Sequence, residues 1–288
     1  MSWTVLDLLR WTTEHFASRG IDSARLDAEC LLAFALDCDR LRLYVDFEKT
    51  VEPPERARFR ELVRRRGQER VPVALLTGWR EFWSLPIAVT GEVLVPRPET
   101  ETLVAAALEC VPDRDAELSV LDLGTGSGAV ALALASERPK ARITATDVSE
   151  AALAVASANA ERLGLAERVR FVPGSLFEPV VGERFDLVVS NPPYVAEVER
   201  DTLPPELAHE PAGALFGGPD GLAVLRALVE QVSAHLEPDG FVALEMDPRQ
   251  IEVVCAGLRT AGLVEPTVHR DGSSSARVVV ARQPGGGI

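Results

Sequence analysis

Hydrophobic residues in the first quarter of the chain recur at helical spacing. One predicted helix face is formed by Val5, Leu8, Leu9 and Phe16. Thr4 precedes this helix, and together with Asp7 in its first turn it has the pattern of a capping box. Further helices are predicted over 23–37, over 40–48 and from the prolines at 53–54 onward, with Gly67 weakening the last. Residues 1–75 are therefore predicted to form a small helical domain.

The pattern changes over residues 81–95, where β-branched and aromatic side chains flank Thr90 and Gly91. A Thr-Gly pair between such runs is typical of a hairpin turn. We therefore expect residues 76–96 to form a β-hairpin that links two domains. A new helix is expected to begin in the segment PRPETE at 96–101.

From residue 119 onward, short apolar runs alternate with helical segments. Helices are predicted over 129–136 and 150–163, and strands over 119–124, 142–147, 169–173, 186–190, 241–246, 263–270 and 276–282. Continuous apolar strands alternating with helices are typical of a parallel sheet covered on both faces. Residues 97–288 are therefore predicted to form an α/β domain with a seven-stranded, mostly parallel, Rossmann-like sheet. The tail at 283–288 (QPGGGI) is expected to be disordered.

Charge is distributed unevenly along the chain. The net charge is −14, but residues 1–90 hold 14 basic and 14 acidic residues, so the whole excess lies in 91–288. Such acidity argues against stable binding to a nucleic-acid backbone. Two interpretations remain for the arginine-rich stretch from Arg56 to Arg70. It is either a solvated helix face or a docking surface for an acidic or nucleic-acid-bearing partner.

Four cysteines and four histidines are scattered along the chain without ligand spacing. We therefore expect no metal site and no disulfide framework, and the pattern fits a reducing cytoplasm. No apolar run approaches the roughly 18 residues of a membrane span, and the first residues lack the features of a secretion signal. A cytoplasmic protein without a membrane association is expected.

A glycine-rich segment follows the first predicted strand of the α/β domain. It reads Asp122-Leu-Gly124-Thr125-Gly126-Ser127-Gly128 and leads into a helix. Glycines allow a ligand to approach the backbone closely, and a helix N-terminus offers free N–H donors. Asp147 ends the next strand, where a carboxylate can accept hydrogen bonds from ribose hydroxyls. These features predict a nucleoside cofactor, and leave both a methyltransferase and a dehydrogenase open.

The segment Asn191-Pro192-Pro193-Tyr194 decides between these classes. An amide nitrogen is a poor nucleophile because its lone pair is conjugated with the carbonyl group. The Asn191 side-chain oxygen and the Pro192 carbonyl could accept its two N–H groups and direct the lone pair toward a methyl group. The two prolines keep the loop extended and add no competing donor. Tyr194 could offer an aromatic face to a sulfonium or an amide. These residues predict methyl transfer to a planar, sp2-bound amino nitrogen, with S-adenosylmethionine as cofactor.

With these motifs, the chain resembles the peptide chain release factor glutamine-N5 methyltransferases, the HemK/PrmC family. The resemblance spans nearly the whole chain and includes PVALLTG at 72–78, EFWSLP at 81–86, VPRPETE at 95–101, DLGTGSG at 122–128 and SNPPY at 190–194. It implies a class I S-adenosylmethionine-dependent methyltransferase fold behind a helical N-terminal domain. It also implies methylation of the glutamine of a Gly-Gly-Gln motif in class 1 peptide chain release factors, with S-adenosyl-L-homocysteine as product.

The resemblance also assigns roles to residues. Gly124 to Gly128 and Asp147 would hold the cofactor, with Asn191 beside it, and Ser175 and Leu176 would contact the adenine. Asn191 to Tyr194 would hold the substrate glutamine, with Asn191, Pro192 and Tyr194 as catalytic residues. Arg97 and Glu99 would shape the entrance. Two departures stand out: the adenine loop reads Gly174-Ser175-Leu176-Phe177 instead of carrying an acidic residue and a large aromatic, and Glu245 is not followed by a glycine.

Three alternatives remain open. A related enzyme that methylates a glutamine of a ribosomal protein would share the fold, the cofactor and the chemistry. An adenine N6-methyltransferase also uses Asn-Pro-Pro-Tyr on an exocyclic amino group, although the acidic catalytic region counts against it. A cofactor-binding module without activity is disfavoured by the intact motif.

Overall fold

The structure, a computed structural model, describes residues 3–285 of the chain. The last three residues of the tail that we expected to be disordered, 286–288, lie outside the described residues. The chain divides into two compact units. One contains the residues up to Trp79 together with Pro204–His209, and the other contains Arg80–Leu203 and the chain from Glu210 onward. The grouping of Pro204–His209 with the helical unit was not predicted.

The first unit is helical, as predicted. Its helices are α1 (Val5–Ala17), α2 (Ala24–Ala35), α3 (Arg40–Val45), α4 (Pro53–Gln68) and α5 (Val73–Thr77). The predicted capping box is confirmed, because the Thr4 hydroxyl accepts a hydrogen bond from the Asp7 N–H while the Asp7 carboxylate accepts one from the Thr4 N–H. Phe16, Leu31 and Leu32 are completely buried in the core of this unit. Gly67 does not interrupt α4, and a side chain there would approach the His15 ring to 3.1 Å.

Buried charges tie the arginine-rich stretch to the interior of the first unit. Arg66 is 6% exposed and donates to Asp27 at 2.7 Å and to Glu206 at 2.8 Å. Arg70 also pairs with Glu206 at 2.7 Å. Arg64 is exposed, and its partners are the exposed residues Glu61 and Glu69. Part of the stretch therefore stabilises this unit instead of facing solvent.

The predicted hairpin exists but turns at a different place. Strands β1 (Trp79–Phe82) and β2 (Leu85–Ala88) form a two-stranded sheet, so the prediction that the hairpin turns at Thr90-Gly91 is wrong. A turn is present at that position, where the Val93 N–H donates to the Thr90 carbonyl at 3.3 Å, but it joins no pair of strands. The turn residues Trp83 and Ser84 have φ values of 51° and 58°. Hydrogen bonds hold this unusual backbone, since the Trp83 N–H donates to the Glu101 carboxylate and its indole N–H to Glu137.

The remainder of the second unit is an α/β domain built on seven strands. The strands are β3 (Ser119–Leu123), β4 (Arg142–Asp147), β5 (Val169–Pro173), β6 (Phe185–Ser190), β7 (Leu236–Glu245), β8 (Val264–Arg270) and β9 (Ala276–Arg282). The helices are α6 (Glu101–Cys110), α7 (Ala129–Glu137), α8 (Glu150–Arg162), α9 (Ala212–Leu215), α10 (Ala223–Val232) and α11 (Ile251–Thr260). Every predicted strand is present, which confirms the predicted alternation.

The strand order is β5-β4-β3-β6-β7-β9-β8. The first five strands are parallel, and β9 runs antiparallel to both β7 and β8. Leu187, Val188 and Val189 are consecutive and completely buried. Because successive side chains of a strand point to opposite faces, both faces of the sheet are covered at its centre. Within residues 3–285, no helix is long and apolar enough to cross a membrane.

Candidate active site

Three predicted motifs meet at one edge of the sheet because of strand register. Leu123 of β3 lies opposite Thr146 of β4 and Ser190 of β6. The residues that follow these positions, Gly124, Asp147 and Asn191, therefore leave the sheet side by side. They line a cavity of about 570 Å³, which is within the usual range for small-molecule sites.

The glycine loop is held directly against Asp147. Gly126 has φ 55°, and a side chain there would meet no atom within 4 Å, so its backbone faces open space. Its N–H donates to Asp147 Oδ2 at 2.8 Å, and the Ser149 N–H donates to Oδ1 at 2.9 Å. Each carboxylate oxygen keeps a lone pair for a further donor. The loop and the carboxylate thus form one preorganised surface.

Beneath the loop, Asp122 is buried and accepts a hydrogen bond from the Thr125 hydroxyl at 2.7 Å. Burial raises the pKa of Asp122 to about 7, and Asp147 adds to the increase, while the bond from Thr125 opposes it. Gly128 is the N-cap of α7, and a side chain there would approach Ala156 of α8 to 3.1 Å. Asp122 and Gly128 therefore help to fix the conformation of the loop.

Asn159 of α8 joins the loop to the hairpin. Its side chain is completely buried, and its Nδ2 donates to the Ser127 carbonyl at 2.9 Å and to the Ala88 carbonyl at 3.0 Å. Its Oδ1 accepts from the Ala88 N–H at 2.8 Å. This residue was not predicted, because an asparagine within a helix carries no signal of long-range contacts.

Residues that follow β4 and β5 also line the cavity. Ser175 and Leu176, which follow β5, line it, as does Val148 beside Asp147. Leu176 has φ 46°, and Val148 is 73% exposed although it is apolar. These aliphatic side chains provide faces for a flat ring, and Val148 was not among the predicted contacts.

The Asn-Pro-Pro-Tyr loop forms the end of the cavity near β6. The Asn191 Nδ2 donates to the buried Thr100 hydroxyl at 3.1 Å, which leaves Oδ1 as the amide's open acceptor. Pro192 is buried and lines the cavity with Pro193. Among the described residues, no hydrogen bond ends on Asn191 Oδ1 or on the Pro192 carbonyl.

Two residues that the sequence analysis missed support this loop from behind. The Gln250 side chain is buried and donates to the Tyr194 carbonyl at 3.0 Å and to the Gly221 carbonyl at 3.1 Å. Gly221 has φ 74°, and a side chain there would lie 2.2 Å from the Tyr194 carbonyl. The backbone of the loop therefore packs so closely against Gly221 that no residue with a side chain fits at this position.

Tyr194 points away from the cavity. Its ring packs on the core of the sheet, and its hydroxyl lies 3.5 Å from Glu245 Oε1. Glu245 is 1% exposed, and burial raises its pKa to about 7, while Thr100 and Arg277 lower it. Burial and the nearby Glu245 also raise the pKa of the Tyr194 phenol.

Arg97 lines the cavity and pairs with Glu210 at 2.5 Å. The Glu210 side chain is completely buried and also accepts the Val95 N–H at 3.0 Å. This pair fixes the guanidinium at the cavity wall. Glu99 is exposed and does not line the cavity among the described residues.

The cavity therefore unites most of the predicted site residues, namely Gly124, Thr125, Gly126, Ser127, Asp147, Ser175, Leu176, Asn191, Pro192 and Pro193. Gly128 and Tyr194 are absent from its lining within residues 3–285. The surrounding residues Asp122, Thr100 and Arg97 complete the walls.

Comparison with known proteins identifies the class of the fold. Residues 102–219 match the family model described as "Methyltransferase small domain". A methyltransferase from Pyrococcus furiosus is similar in structure, with a TM-score of 0.52, 23% identity, and coverage of 69% of this chain and 89% of that one. A ribosomal protein L11 methylase from Lactobacillus delbrueckii subsp. bulgaricus has a TM-score of 0.50 and 22% identity, covering 67% and 82%. The α/β domain is a class I methyltransferase fold.

The family follows from the whole chain. Residues 7–78 match the model described as "PrmC N-terminal domain". The release factor glutamine methyltransferase of Rhodopirellula baltica is 46% identical, with 85% of this chain and 84% of the relative covered. That of Geobacter sulfurreducens is 41% identical, with 97% of each covered. The chain belongs to the release factor glutamine methyltransferase family.

Proposed function

We propose that this chain transfers a methyl group from S-adenosylmethionine to the side-chain amide nitrogen of the Gly-Gly-Gln glutamine in class 1 peptide chain release factors. The observation that carries the proposal is the single cavity shared by the glycine loop, Asp147 and Asn191. The glycine loop and Asp147 suit a nucleoside, and Asn191 presents a side-chain oxygen that can accept a hydrogen bond from a substrate amide. Family membership supports the same reaction.

The residues of the cavity suit the cofactor. The open backbone at Gly124 and Gly126 would accept the amino-acid part closely, since a side chain at either position would occupy the cavity. The free lone pairs of Asp147 would accept the ribose hydroxyls. Val148 and Leu176 would flank the adenine. When bound, S-adenosylmethionine supplies an electrophilic methyl group on a sulfonium. The amide nitrogen would form the new N–C bond as the S–CH3 bond breaks, which leaves S-adenosylhomocysteine, and one N–H proton would pass to solvent.

The Asn-Pro-Pro-Tyr loop would orient the acceptor. Asn191 Oδ1 and the Pro192 carbonyl would each accept one N–H of the substrate amide. This arrangement favours pyramidalisation of the nitrogen, with its lone pair directed into the cavity. No general base is needed before transfer, so catalysis depends on alignment. Tyr194 would act indirectly, by fixing the loop through its contacts with the core and with Glu245.

The test is methylation of defined acceptors by the purified protein with isotope-labelled S-adenosylmethionine. The acceptors are an intact class 1 release factor, the same factor with its Gly-Gly-Gln glutamine changed to asparagine, a ribosomal protein mixture and an adenine-containing oligonucleotide. We expect label on the glutamine of the intact factor alone, located by mass spectrometry. Label on a ribosomal protein or on adenine, with none on the release factor, would contradict the proposed substrate.

A further inference from the structure

The main chain of the Asn-Pro-Pro-Tyr loop packs on a second segment that follows α9. The Val195 N–H, directly after the loop, donates to the Leu215 carbonyl at 2.9 Å, and the Gly217 N–H donates to the Val195 carbonyl at 2.9 Å. A side chain at Gly217 would lie 2.4 Å from the Pro193 carbonyl oxygen. The carbonyl group of Pro193 therefore lies directly against this segment, with no room for movement toward it.

Gln250 provides the polar contact of this packing. It is 7% exposed and ends the short 3-10 helix Pro248–Gln250, just before α11. Its Nε2 donates to the Tyr194 carbonyl at 3.0 Å and to the Gly221 carbonyl at 3.1 Å, while its Oε1 accepts the Asp247 N–H at 3.2 Å. The opposite orientation of the amide would place its oxygen against two carbonyl oxygens. The side chain therefore has one orientation that satisfies all of its partners.

The two prolines transmit this anchor toward Pro192. A proline ring fixes φ, and no peptide bond is cis in the part of the chain that the structure describes. Only ψ of Pro193 can therefore rotate between the peptide plane that carries the Pro192 carbonyl and the plane that carries the Pro193 carbonyl. The torsions of Tyr194 are the next along the chain, and they end at the carbonyl that Gln250 holds. Fixing the Tyr194 carbonyl thus restricts the direction of the Pro192 carbonyl.

The Pro192 carbonyl is one of the two acceptors that the proposed reaction needs, and within residues 3–285 no hydrogen bond ends on it. It belongs to the main chain, so it can be directed only by holding the backbone. We propose that Gln250 is a positioning residue that acts through the Tyr194 carbonyl to hold the Pro192 carbonyl toward the substrate amide. This inference rests on the proposed function, in which Pro192 accepts a substrate N–H.

The contact itself can be observed because the chain has two tyrosines, Tyr44 and Tyr194. Carbon-13 NMR of protein labelled at the tyrosine carbonyl carbon should show two signals. Gln250→Met, which keeps the length of the side chain and removes its donors, should shift the Tyr194 signal and leave the Tyr44 signal in place as an internal control. Two unshifted signals in the folded variant would overturn the anchoring of this carbonyl.

Turnover tests whether the contact directs the acceptor. Gln250→Met should lower turnover about tenfold, the scale of one hydrogen bond, while the affinity for S-adenosylhomocysteine is unchanged, because the loss falls on the transition state. Gln283→Met is the matched control: Gln283 also forms a partly buried side-chain hydrogen bond, with Ser233, but it does not line the cavity among the described residues. It should behave as wild type.

A double variant separates the positioning role from a loss of packing. In Asn191→Ala the substrate amide has already lost one of its two proposed acceptors, so the direction of the other should matter less. Gln250→Met should therefore slow the Asn191→Ala variant by a smaller factor than it slows the wild type. Damage to packing alone would give the same factor in both backgrounds.

Turnover and cofactor affinity are measured well below the midpoint of thermal unfolding. If Gln250→Met does not fold, Gln250→Glu replaces it, since it keeps the shape and the acceptor for the Asp247 N–H but loses the NH2 group. Wild-type turnover, a parallel loss of cofactor affinity, or equal factors in the two backgrounds would overturn the role of Gln250. The proposed function is separable: near-normal turnover in Asn191→Ala would remove it, whereas an inactive Asn191→Ala beside a fully active Gln250→Met would remove only the positioning role.

Discussion

The Gly126 N–H donates a hydrogen bond to Asp147 Oδ2 over 2.8 Å and so connects the glycine loop to the end of the neighbouring strand. Asp147 therefore has two functions in the proposed site: it holds the loop, and it would accept hydrogen bonds from the ribose hydroxyls. Asp147→Ala should weaken binding of S-adenosylhomocysteine by roughly 1.5–3 kcal/mol, the scale of a charge-assisted hydrogen bond. Isothermal titration calorimetry measures this change.

A matched control for this variant is Asp201→Ala, which removes an exposed carboxylate outside the cavity lining. Its affinity should equal that of the wild type. Unchanged affinity in Asp147→Ala, or tighter binding of NAD than of S-adenosylhomocysteine by the wild type, would contradict the proposed cofactor site.

In contrast to Asp147→Ala, the Asn191→Ala variant should lose turnover and keep its affinity for the cofactor. Its proposed partner is the substrate amide, and the interaction strengthens as the nitrogen becomes pyramidal, so the loss falls on turnover. We expect turnover to decrease about 100-fold, by analogy with removal of one transition-state hydrogen bond, while cofactor affinity stays near wild type. Steady-state kinetics and calorimetry on the same preparation measure both quantities. Near-normal turnover would contradict the proposed alignment of the amide.

Asn159→Ala should destabilise the fold and loosen the cofactor site together. The change leaves the Ala88 N–H and the Ser127 carbonyl, both partners of the Asn159 side chain, without that hydrogen bond. Each buried unsatisfied group costs about 1–3 kcal/mol, so the free energy of unfolding should fall by a few kcal/mol. Urea denaturation with and without S-adenosylhomocysteine measures it. A stable variant with normal affinity would show that this link is dispensable.

Much of the α/β domain could be predicted because its signals are local. The strands β4 and β5 have the predicted bounds, since their apolar runs are flanked directly by turn or charged residues. The glycine loop and the Asn-Pro-Pro-Tyr loop were recognisable for the same reason: each is a continuous segment at the end of a strand.

The missed features depend on distant residues. The turn at Trp83 is held by Glu101 and Glu137, which lie 18 and 54 positions away. Thr100 meets Asn191 across 91 positions, and Gln250 meets Tyr194 across 56. No pattern within a short window reports such pairs, because they are set by the sheet order. This is why the supporting residues of the site emerged only with the fold.

Stability should depend on pH through Glu245. Burial raises its folded-state pKa from 4.5 to about 7, so the folded protein binds a proton that the unfolded chain releases at lower pH. The resulting stabilisation is fully present below the pKa that Glu245 has in the unfolded chain, and it is lost as pH rises through about 7. Through this group, the free energy of unfolding should be lower at pH 8 than at pH 4 by on the order of 3 kcal/mol. Thr100, Arg277 and Tyr194 lower the pKa of this carboxyl, and Glu99 raises it further.

Comparing Glu245→Gln with wild type isolates this effect, because Asp122, whose pKa burial also raises to about 7, is common to both proteins. The variant should gain stability relative to wild type as pH increases from 5 to 8. Urea denaturation at these two values measures the difference. A difference between the proteins that does not change with pH would show that Glu245 keeps an ordinary pKa.

The arginine-rich stretch requires variants chosen by burial. Arg66 is buried between Asp27 and Glu206, so reversing it would test folding and not docking. Arg66→Ala should lower the free energy of unfolding by about 3–5 kcal/mol, the cost of leaving buried charges unpaired. Arg60→Ala is the matched control, because Arg60 is exposed and forms no ion pair within residues 3–285. Equal stability of the two variants would contradict the buried network.

The docking role stays a prediction, and it now concerns Arg56 and Arg60, which lie one helical turn apart on α4. A Gly-Gly-Gln tripeptide is too small to confer selectivity, so further contacts must distinguish the true substrate. The double variant Arg56→Glu, Arg60→Glu should slow methylation of an intact release factor at low salt, mainly through the association rate. It should leave methylation of a short Gly-Gly-Gln peptide unchanged, because the peptide cannot reach beyond the cavity. If the double variant and wild type methylate the intact factor equally at low salt, this helix face is simply solvated.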